Sequence, residues 1–326
     1  MKLCIYGAGA IGGFLGARLA AQGHEVSAVA RGATLEALRA HGLRLRSNGA
    51  EIASPVRAES DPAALGVQDL VIVAVKEPAL RDVAARIPPL VGPETIVLTA
   101  MNGVPWWFFD GMTGPCAGMT LATLDPGGAI VRAIPTRHVI GGVVHASCTT
   151  PEPGLVQHVM GQGLIVGEPA GGGSPRVTRL AEALTAAGFE CRVSERIQQD
   201  VWYKLWGNMT MNPVSAFTGV TVDRILDDDL ANGFCWRVME EAKAVGAAIG
   251  CPIEQSVKDR SAVTRKLGAF KTSMLQDVEA GKPIELDALL TVVREIAQRV
   301  NVATPNLDAL LGLVRVFARA RGLYPA

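Results

Sequence analysis

The chain has 326 residues, more than the roughly 250–300 at which a single hydrophobic core stops growing, so two domains are expected. Apolar residues make up 49% and charged residues 19%, which supplies material for packed cores and argues against a disordered chain. The 31 basic residues balance the 31 acidic ones, so no global field attracts nucleic acid or an anionic membrane. This balance argues against polyanion binding as the main role.

The spacing of cysteines and histidines indicates neither a metal site nor a disulfide framework. The six cysteines include no C-x-x-C pair, and the five histidines show no H-x-x-x-H spacing. We therefore expect reduced thiols in a cytoplasmic protein that binds no metal. The uncharged residues 3–17 are similar to a signal-peptide core, but glycines interrupt them, and no apolar run of about 18 residues follows. We expect neither a targeting segment nor a membrane span.

The first thirty or so residues predict a β-α-β unit. A short apolar strand over residues 2–6 leads into a glycine-rich turn and then a helix that stops at Gly23. A second strand follows over residues 25–30. This segment of about thirty residues, which contains a strand, a turn, a helix and a second strand, has the length of one β-α-β unit.

The turn after the first strand has the pattern G-x-G-x-x-G. In this position, the first glycine permits a tight turn, the second lets the backbone approach a pyrophosphate, and the third lets the helix pack on the strand. The helix N-terminus then faces the phosphates. A purely conformational glycine turn is the alternative. We expect the turn to bind a dinucleotide through six residues: Gly7, Ala8, Gly9, Ala10, Ile11 and Gly12.

The end of the second strand helps to choose the cofactor. An NAD site usually has Asp or Glu there, which accepts hydrogen bonds from the ribose 2′-hydroxyl. Residues 28–32 contain no acid, and Arg31 is placed to pair with a 2′-phosphate instead. This favours NADP; the alternative is that Arg31 is an ordinary exposed arginine.

Two more buried strands are predicted over residues 70–75 and 95–99, because both runs are apolar as central parallel strands are. Lys76 follows the first, and Asn102 with Gly103 follows the second. In open α/β sheets, ligands bind beyond the carboxyl ends of the strands, so both polar residues are expected beside the cofactor. A solvated lysine and a simple Asn-Gly turn are the alternatives.

The remaining sequence divides into a strand-rich and a helical part. Short apolar runs between residues 116 and 166 predict further strands, some of them antiparallel, followed by a helix over residues 177–187 and a strand over residues 191–193. Beyond Ser194 the pattern is almost entirely helical. We therefore predict an α/β fold, with a Rossmann-type dinucleotide-binding domain over residues 1–194 and an all-α domain over residues 195–326.

The first helix of the second domain carries polar groups on its apolar face. Ile197, Val201, Leu205 and Met209 form one apolar arc, whereas Gln199, Tyr203 and Thr210 point away from it. Lys204, Asn208 and Asn212 fall inside or at the margin of the same arc. Burying a lysine and two amides is costly without partners, so we expect them to line a cavity between the domains. The alternative is a surface ion pair between Asp200 and Lys204.

These residues together resemble the ketopantoate reductase (2-dehydropantoate 2-reductase) family over essentially the whole chain. The resemblance rests on the glycine turn, on the residues that follow two strands, on the polar helix, and on a C-terminal signature. In order, the matching residues are Gly7 to Gly12, Lys76, Asn102 with Gly103, Trp202 to Leu205, Asn208, Asn212 with Pro213, Ser273 to Asp277, and Glu285.

The resemblance implies NADPH-dependent reduction of 2-dehydropantoate to (R)-pantoate, on the pantothenate route to coenzyme A. It implies that Lys204 is the general acid and that Glu285 accepts a hydrogen bond from a substrate hydroxyl; by its position near Pro283, Glu285 also fits a helix N-terminus. It further implies that Lys76 lies near the cofactor and the catalytic centre. The substrate-binding residues would be Asn102, Asn208, Asn212 and Ser273.

The sequence departs from the family pattern at the aromatic residues 105–109, just after Asn102. They form either a packing cluster or a reshaped substrate pocket, which leaves the identity of the 2-keto acid open. Two other functions remain: reduction of a different 2-keto or 3-hydroxy acid by the same fold, and regulation by a non-catalytic NADPH-binding protein. We expect a monomer or homodimer that binds a small 2-keto acid and neither nucleic acid nor membrane.

Overall fold

The computed structural model describes residues 1–325, which form two compact units. The first unit comprises Met1–Met101 and Gly127–Asp200. The second comprises Asn102–Pro126 and the chain from Val201 onward. The predicted division after residue 194 therefore differs from the observed one in two ways. The segment 102–126 belongs to the second unit, and the later boundary falls within a helix, after Asp200.

The first unit is built on one mixed sheet, whose ten strands within residues 1–325 run from the N-terminus to Val193. In chain order they are β1 (Lys2–Tyr6), β2 (Glu25–Val29), β3 (Leu43–Ser47), β4 (Ala50–Ser54), β5 (Arg57–Glu59), β6 (Gln68–Val73), β7 (Val91–Thr99), β8 (Val139–Glu152), β9 (Leu155–Gly167) and β10 (Glu190–Val193). Their order in the sheet is β4-β3-β9-β8-β7-β6-β1-β2-β5, and β10 pairs with β9.

The parallel run from β8 to β5 contains the strands predicted from apolar sequence. β1 pairs with β6 in register, with Leu3 opposite Leu70 and Ile5 opposite Ile72. All four of these side chains are buried, as expected for strands covered on both faces. The strands predicted over residues 70–75 and 95–99 are observed as β6 and β7.

Five helices belong to the first unit. They are α1 (Ala10–Ala21), α2 (Gly32–His41), α3 (Leu80–Arg86), α4 (Ala129–Ala133) and α5 (Pro175–Ala186). α1 packs against the sheet through Phe14, Leu15 and Leu19, which are fully buried. Gly16 allows a close approach here, since a Cβ atom at this position would lie 2.8 Å from Ile5 Cγ1. The predicted β-α-β unit is therefore confirmed.

The strand prediction was wrong over residues 116–128, and it omitted β3, β4 and β5. Residues 116–128 form turns rather than strands, and the antiparallel pair begins only at β8, which pairs with β9. The hairpin of β3 and β4 was not predicted, because four of the five β4 residues are exposed and leave no alternating pattern.

The second unit is helical, and no residue from 194 to 325 lies in a strand. Its helices are α6 (Ile197–Thr218), which begins in the first unit, α7 (Val222–Asp227), α8 (Asp229–Ala248), α9 (Val257–Arg265), α10 (Ser273–Glu279), α11 (Val292–Arg299) and α12 (Pro305–Ala320). A π-helical turn, Asp287–Thr291, leads into α11. The expected Rossmann-type α/β part and all-α part are both confirmed.

α6 is buried on more than one side. The predicted apolar arc from Ile197 to Met209 is buried. However, Trp202 and Trp206 are also fully buried, and their indole N–H groups donate to the carbonyl oxygens of Ala242 and Met239 on α8. Thr210, expected on the solvent side, is 0% exposed. The amphipathic pattern is weak because α6 packs against neighbours around most of its circumference.

Hydrogen bonds and ring packing explain why the segment 102–126 belongs to the helical unit. The backbone N–H of Val104 donates to the carbonyl oxygen of Ala288 at 3.0 Å. Glu295 on α11 accepts from the backbone N–H groups of Ala122 and Thr123 at 2.8 and 2.9 Å. Phe108 packs against Trp202, with ring centroids 6.0 Å apart. Such long-range contacts leave no periodic signal in the sequence.

Candidate active site

Steric constraints account for two glycines of the turn between β1 and α1. Gly7 has φ +98°, and a Cβ atom there would lie 2.7 Å from Val75 Cγ1. A Cβ atom on Gly12 would lie only 2.1 Å from the carbonyl oxygen of Gly7 and 2.9 Å from Ile5 Cγ2. Real Cβ contacts are not this short, so the protein itself requires glycine at both positions.

Gly9 differs, because its environment leaves space for a ligand. It is the N-cap residue of α1, and a Cβ atom there would meet no protein atom within 4 Å. Since Gly9 has no side chain to cap the helix and the first turn of α1 contains no acidic residue, the N-terminus suits a negatively charged group. The open side of the turn therefore fits a dinucleotide pyrophosphate, which the six turn residues would hold.

Arg31 lies directly after β2 and is the N-cap residue of α2. Its guanidinium Nη2 is 2.7 Å from Oδ2 of Asp82, in the first turn of α3. The side chains are 63% and 44% exposed, so both are open to solvent. No sequence pattern indicated this pair, because the two residues are 51 positions apart.

Tyr6 is the last residue of β1, and the charges of Arg31 and Asp82 influence it. Its hydroxyl is buried and has no hydrogen-bond partner among the described residues. Burial raises the pKa of Tyr6, while the positive charges of Arg86 and Arg31 act in the opposite direction and Asp82 adds to the increase. The charges of Arg31, Asp82 and Arg86 therefore all act on the buried Tyr6 hydroxyl at the end of β1.

Lys76 and Asn102 follow β6 and β7, as predicted, but belong to different units. Lys76 is half-buried and begins the 3-10 turn Glu77–Ala79 in the first unit. Asn102 is half-buried and is the first residue of the second unit. Gly103, the next residue, has φ +82° and packs so closely on Ala288 that a Cβ atom would lie 2.4 Å from its carbonyl oxygen.

The polar stripe of α6 lies in the second unit as a helical row. Lys204 and Asn208 are half-buried, and Asn212 is 7% exposed. Asp200, the partner considered for Lys204, uses its carboxylate to bind Arg192 at 2.5 Å and the Ser194 hydroxyl. The row therefore places one ammonium and two amides on a partly desolvated helix face.

Lys204 has a strongly altered acidity. Burial lowers the pKa of Lys204 to about 8, and the negative charge of Glu285 acts in the opposite direction. Glu285 is itself 7% exposed and lies just before the π-helical turn Asp287–Thr291. The two residues predicted as catalytic thus interact electrostatically. A lysine with a pKa near 8 can give up a proton near neutral pH, as general acid catalysis requires.

Ser273 is the first residue of α10 and is exposed. The neighbouring Thr272 caps this helix, since its side chain accepts from the backbone N–H of Leu275. The second unit therefore contains every residue predicted to contact substrate or to transfer a proton, namely Asn102, Lys204, Asn208, Asn212, Ser273 and Glu285.

The aromatic stretch after Asn102 contributes to the core of the second unit. Phe108 and Phe109 are fully buried and meet edge to face, with centroids 5.1 Å apart. Trp106 and Trp107 are also buried, and over the described part of the chain their indole N–H groups have no hydrogen-bond partner. Packing is thus one role of this stretch.

Residues 1–325 show neither a metal-binding cluster nor a membrane-spanning helix. No group of three or more His, Cys, Asp or Glu side chains is arranged to hold a metal ion. No helix in that range is long and apolar enough to cross a bilayer.

A largely parallel sheet with a glycine turn after its first strand, joined to a helical unit that contains a half-buried lysine and a buried glutamate, defines a class of dinucleotide-dependent oxidoreductases. Two sequence profiles match, "Ketopantoate reductase PanE/ApbA" over residues 3–106 and "Ketopantoate reductase PanE/ApbA C terminal" over residues 196–318. The chain belongs to the ketopantoate reductase family, which confirms the resemblance seen in the sequence.

Relatives match along their full length. A 2-dehydropantoate 2-reductase from Mesorhizobium japonicum is 46% identical, over 99% of this chain and 100% of that protein. A crystal structure from Ralstonia solanacearum MolK2, provisionally described as a ketopantoate reductase, is 61% identical, with a TM-score of 0.96 and 99% of each chain covered. D-mandelate dehydrogenase in complex with NADH and anilino(oxo)acetate shares the fold, at 22% identity, a TM-score of 0.83, and coverage of 99% of this chain and 100% of that one.

Proposed function

We propose that the protein reduces 2-dehydropantoate to (R)-pantoate with NADPH, in the pantothenate route to coenzyme A. The observation that carries the proposal is Lys204, whose pKa is lowered to about 8 by burial and which interacts with the buried Glu285. The full-length 2-dehydropantoate 2-reductase relative at 46% identity supports the choice of substrate.

The first unit supplies the cofactor site. The turn from Gly7 to Gly12 fits a pyrophosphate, since no protein atom lies within 4 Å of a Cβ position on Gly9, at the N-terminus of α1. Arg31 would pair with the 2′-phosphate of NADPH, and Lys76 and Asn102 would contact the cofactor from the ends of β6 and β7. The choice of NADPH over NADH rests on Arg31 and on the absence of an acid in residues 28–32.

The second unit supplies the proton. The nicotinamide cofactor, when bound, provides the hydride that reaches the ketone carbon. Negative charge then develops on the ketone oxygen, and the Lys204 ammonium donates a proton to that oxygen through Nζ. The amine left on Lys204 regains a proton from solvent between turnovers. A pKa near 8 suits both the donation of the proton to the ketone oxygen and the reprotonation of Lys204 from solvent.

Glu285 has a different role, because a carboxylate cannot stabilise an alkoxide. It would accept a hydrogen bond from a neutral hydroxyl of the substrate. The negative charge of Glu285 also raises the pKa of Lys204, against the effect of burial. A larger fraction of Lys204 therefore stays in the protonated, ammonium form. The substrate would be held by Asn102, Asn208, Asn212 and Ser273.

A second candidate is reduction of another 2-keto acid. The shared fold of D-mandelate dehydrogenase, which was solved with anilino(oxo)acetate, and the aromatic residues 105–109 favour testing it. A third candidate is a non-catalytic NADPH-binding regulator. The protein would work in the cytoplasm as a monomer or homodimer. The six free cysteines are consistent with a reducing compartment.

The decisive experiment is a steady-state assay of NADPH oxidation with 2-dehydropantoate and a panel of other 2-keto acids. We expect kcat/KM for 2-dehydropantoate to exceed that for every other acid by at least about tenfold. A higher value for an aromatic keto acid would favour the second candidate. Tight NADPH binding without turnover of any acid would favour the regulator.

A further inference from the structure

We propose that Asp82 determines how strongly the protein prefers NADPH over NADH. The inference rests on the proposed role of Arg31 as the group that binds the 2′-phosphate. Asp82 was not among the predicted site residues, because nothing in the sequence near α3 connects it with the end of β2.

The geometry places a carboxylate where the sequence of the second strand lacks one. Asp82 Oδ2 lies 2.7 Å from Arg31 Nη2, directly beyond the carboxyl end of β2. In an NAD site, an acid at this end of the strand accepts hydrogen bonds from the ribose hydroxyls. Asp82 reaches the same region from another connection, the first turn of α3 after β6. The exposure of both side chains leaves them accessible to a ligand.

The neighbouring basic group is already engaged. Arg86, also on α3, donates from Nη2 to the carbonyl oxygen of Ser60 at 2.6 Å. Arg31 donates its hydrogen bond to Asp82. A 2′-phosphate arriving at Arg31 therefore meets a guanidinium whose charge is partly neutralised by a carboxylate.

Asp82 in this ion pair should affect the binding of NADPH and of NADH in opposite ways. The 2′-phosphate of NADPH is attracted by Arg31 and repelled by Asp82, and like charges bound to one guanidinium lie close together. The ribose of NADH carries hydroxyl donors at that position, for which the Asp82 carboxylate is a suitable acceptor. Asp82 therefore weakens NADPH binding and favours NADH binding. It thereby reduces the preference for NADPH over NADH that Arg31 creates.

The test is to measure Kd for NADPH and NADH by fluorescence titration, at one fixed ionic strength, in wild type and in Asp82→Asn. We expect the ratio Kd(NADH)/Kd(NADPH) to rise about fivefold in the variant, chiefly through tighter NADPH binding. Asp82→Ser serves as a second neutral variant if the amide disturbs α3, and circular dichroism reports whether each protein is folded.

Glu51→Gln is the matched control. It removes one exposed carboxylate that also pairs with an arginine, Arg46, at 2.7 Å. Glu51→Gln changes the net charge of the protein by the same amount as Asp82→Asn. Because Glu51 lies on β4, at the opposite edge of the sheet from β2 and β5, the variant should leave the ratio Kd(NADH)/Kd(NADPH) unchanged.

Arg31→Ala separates this inference from the proposed function. If Arg31→Ala reduces the ratio while folded Asp82→Asn and Asp82→Ser leave it within about twofold of wild type, Asp82 does not set the preference and the role of Arg31 stands. Weaker NADPH binding in both Asp82 variants would also overturn the inference, because Asp82 would then position Arg31 for the phosphate. If Arg31→Ala leaves the ratio unchanged, the proposed role of Arg31 fails, and the inference fails with it.

Discussion

The two units present their functional groups in different ways. In the first unit the candidate site is mostly backbone, formed by one contiguous turn in which packing requires glycine at Gly7 and Gly12, whereas Gly9 faces open space. In the second unit the candidate groups are side chains from separate segments, and burial lowers the pKa of one of them, Lys204. Changes in the first unit should therefore affect cofactor binding, and changes in the second should affect turnover.

The largest expected effect comes from Lys204→Ala. Removal of the general acid should lower kcat by about 10²–10⁴, while Kd for NADPH stays within about twofold of wild type. Steady-state kinetics and fluorescence titration measure the two quantities. Lys266→Ala, which removes an exposed lysine of the same unit, is the control. A variant that keeps kcat within about tenfold of wild type would exclude Lys204 as the proton donor.

A pair of glycine variants should separate cofactor binding from folding in the first unit. Gly9→Ala adds a methyl group that meets no protein atom, so it should raise Kd for NADPH at least about tenfold with little change in unfolding free energy. Gly12→Ala forces a Cβ atom against the Gly7 carbonyl oxygen and should destabilise the protein by about 1–3 kcal/mol. Urea denaturation and fluorescence titration measure both effects. Unchanged NADPH binding in Gly9→Ala would place the pyrophosphate elsewhere.

The coupling between Lys204 and Glu285 predicts a pH shift. The protonated form of Lys204 is the acid, so kcat/KM should fall as the pH rises through about 8. Glu285→Gln removes the negative charge that raises this pKa, and the fall should therefore occur at lower pH. Glu279→Gln, which removes an exposed carboxylate paired with Lys271, should leave the profile unchanged. A fall at higher pH in Glu285→Gln would contradict the coupling.

The smallest effects concern packing in the second unit. A Cβ atom on Gly246 of α8 would lie 2.3 Å from Trp202 Nε1, so Gly246→Ala should destabilise the protein by about 1–3 kcal/mol. On α12, a Cβ atom on Gly312 would meet nothing within 4 Å. Gly312→Ala should thus increase the unfolding free energy by about 0.5–1 kcal/mol, through the helix propensity of alanine. Equal effects of the two changes, measured by urea denaturation, would show that α8 does not pack tightly on α6.

The sequence predicted those parts of the fold that depend on local pattern. The glycine turn, β1, β6 and β7 combine apolar runs with short connections, and the polar row on α6 follows from residues spaced by four. β4 was missed because its residues are mostly exposed. Thr210 was misplaced because α6 is enclosed by neighbours that a helical wheel does not represent.

The candidate site was predictable only where its residues were adjacent or matched a known family. Lys204 stood out by its place on an apolar face, whereas Glu285 was identified by resemblance alone. The ion pair between Arg31 and Asp82 joins two exposed residues on different connections, and such a contact has no signature in composition or periodicity.

The path of the chain has a consequence for how this protein can be divided. Because the helical unit includes residues 102–126, the polypeptide passes from one unit to the other three times. A fragment that starts at residue 195 would lack the segment that packs on Trp202 and satisfies Glu295, and it would expose aromatic surface to water. Neither unit is a contiguous module, so exchanging one for that of a relative by a single crossover would break the other.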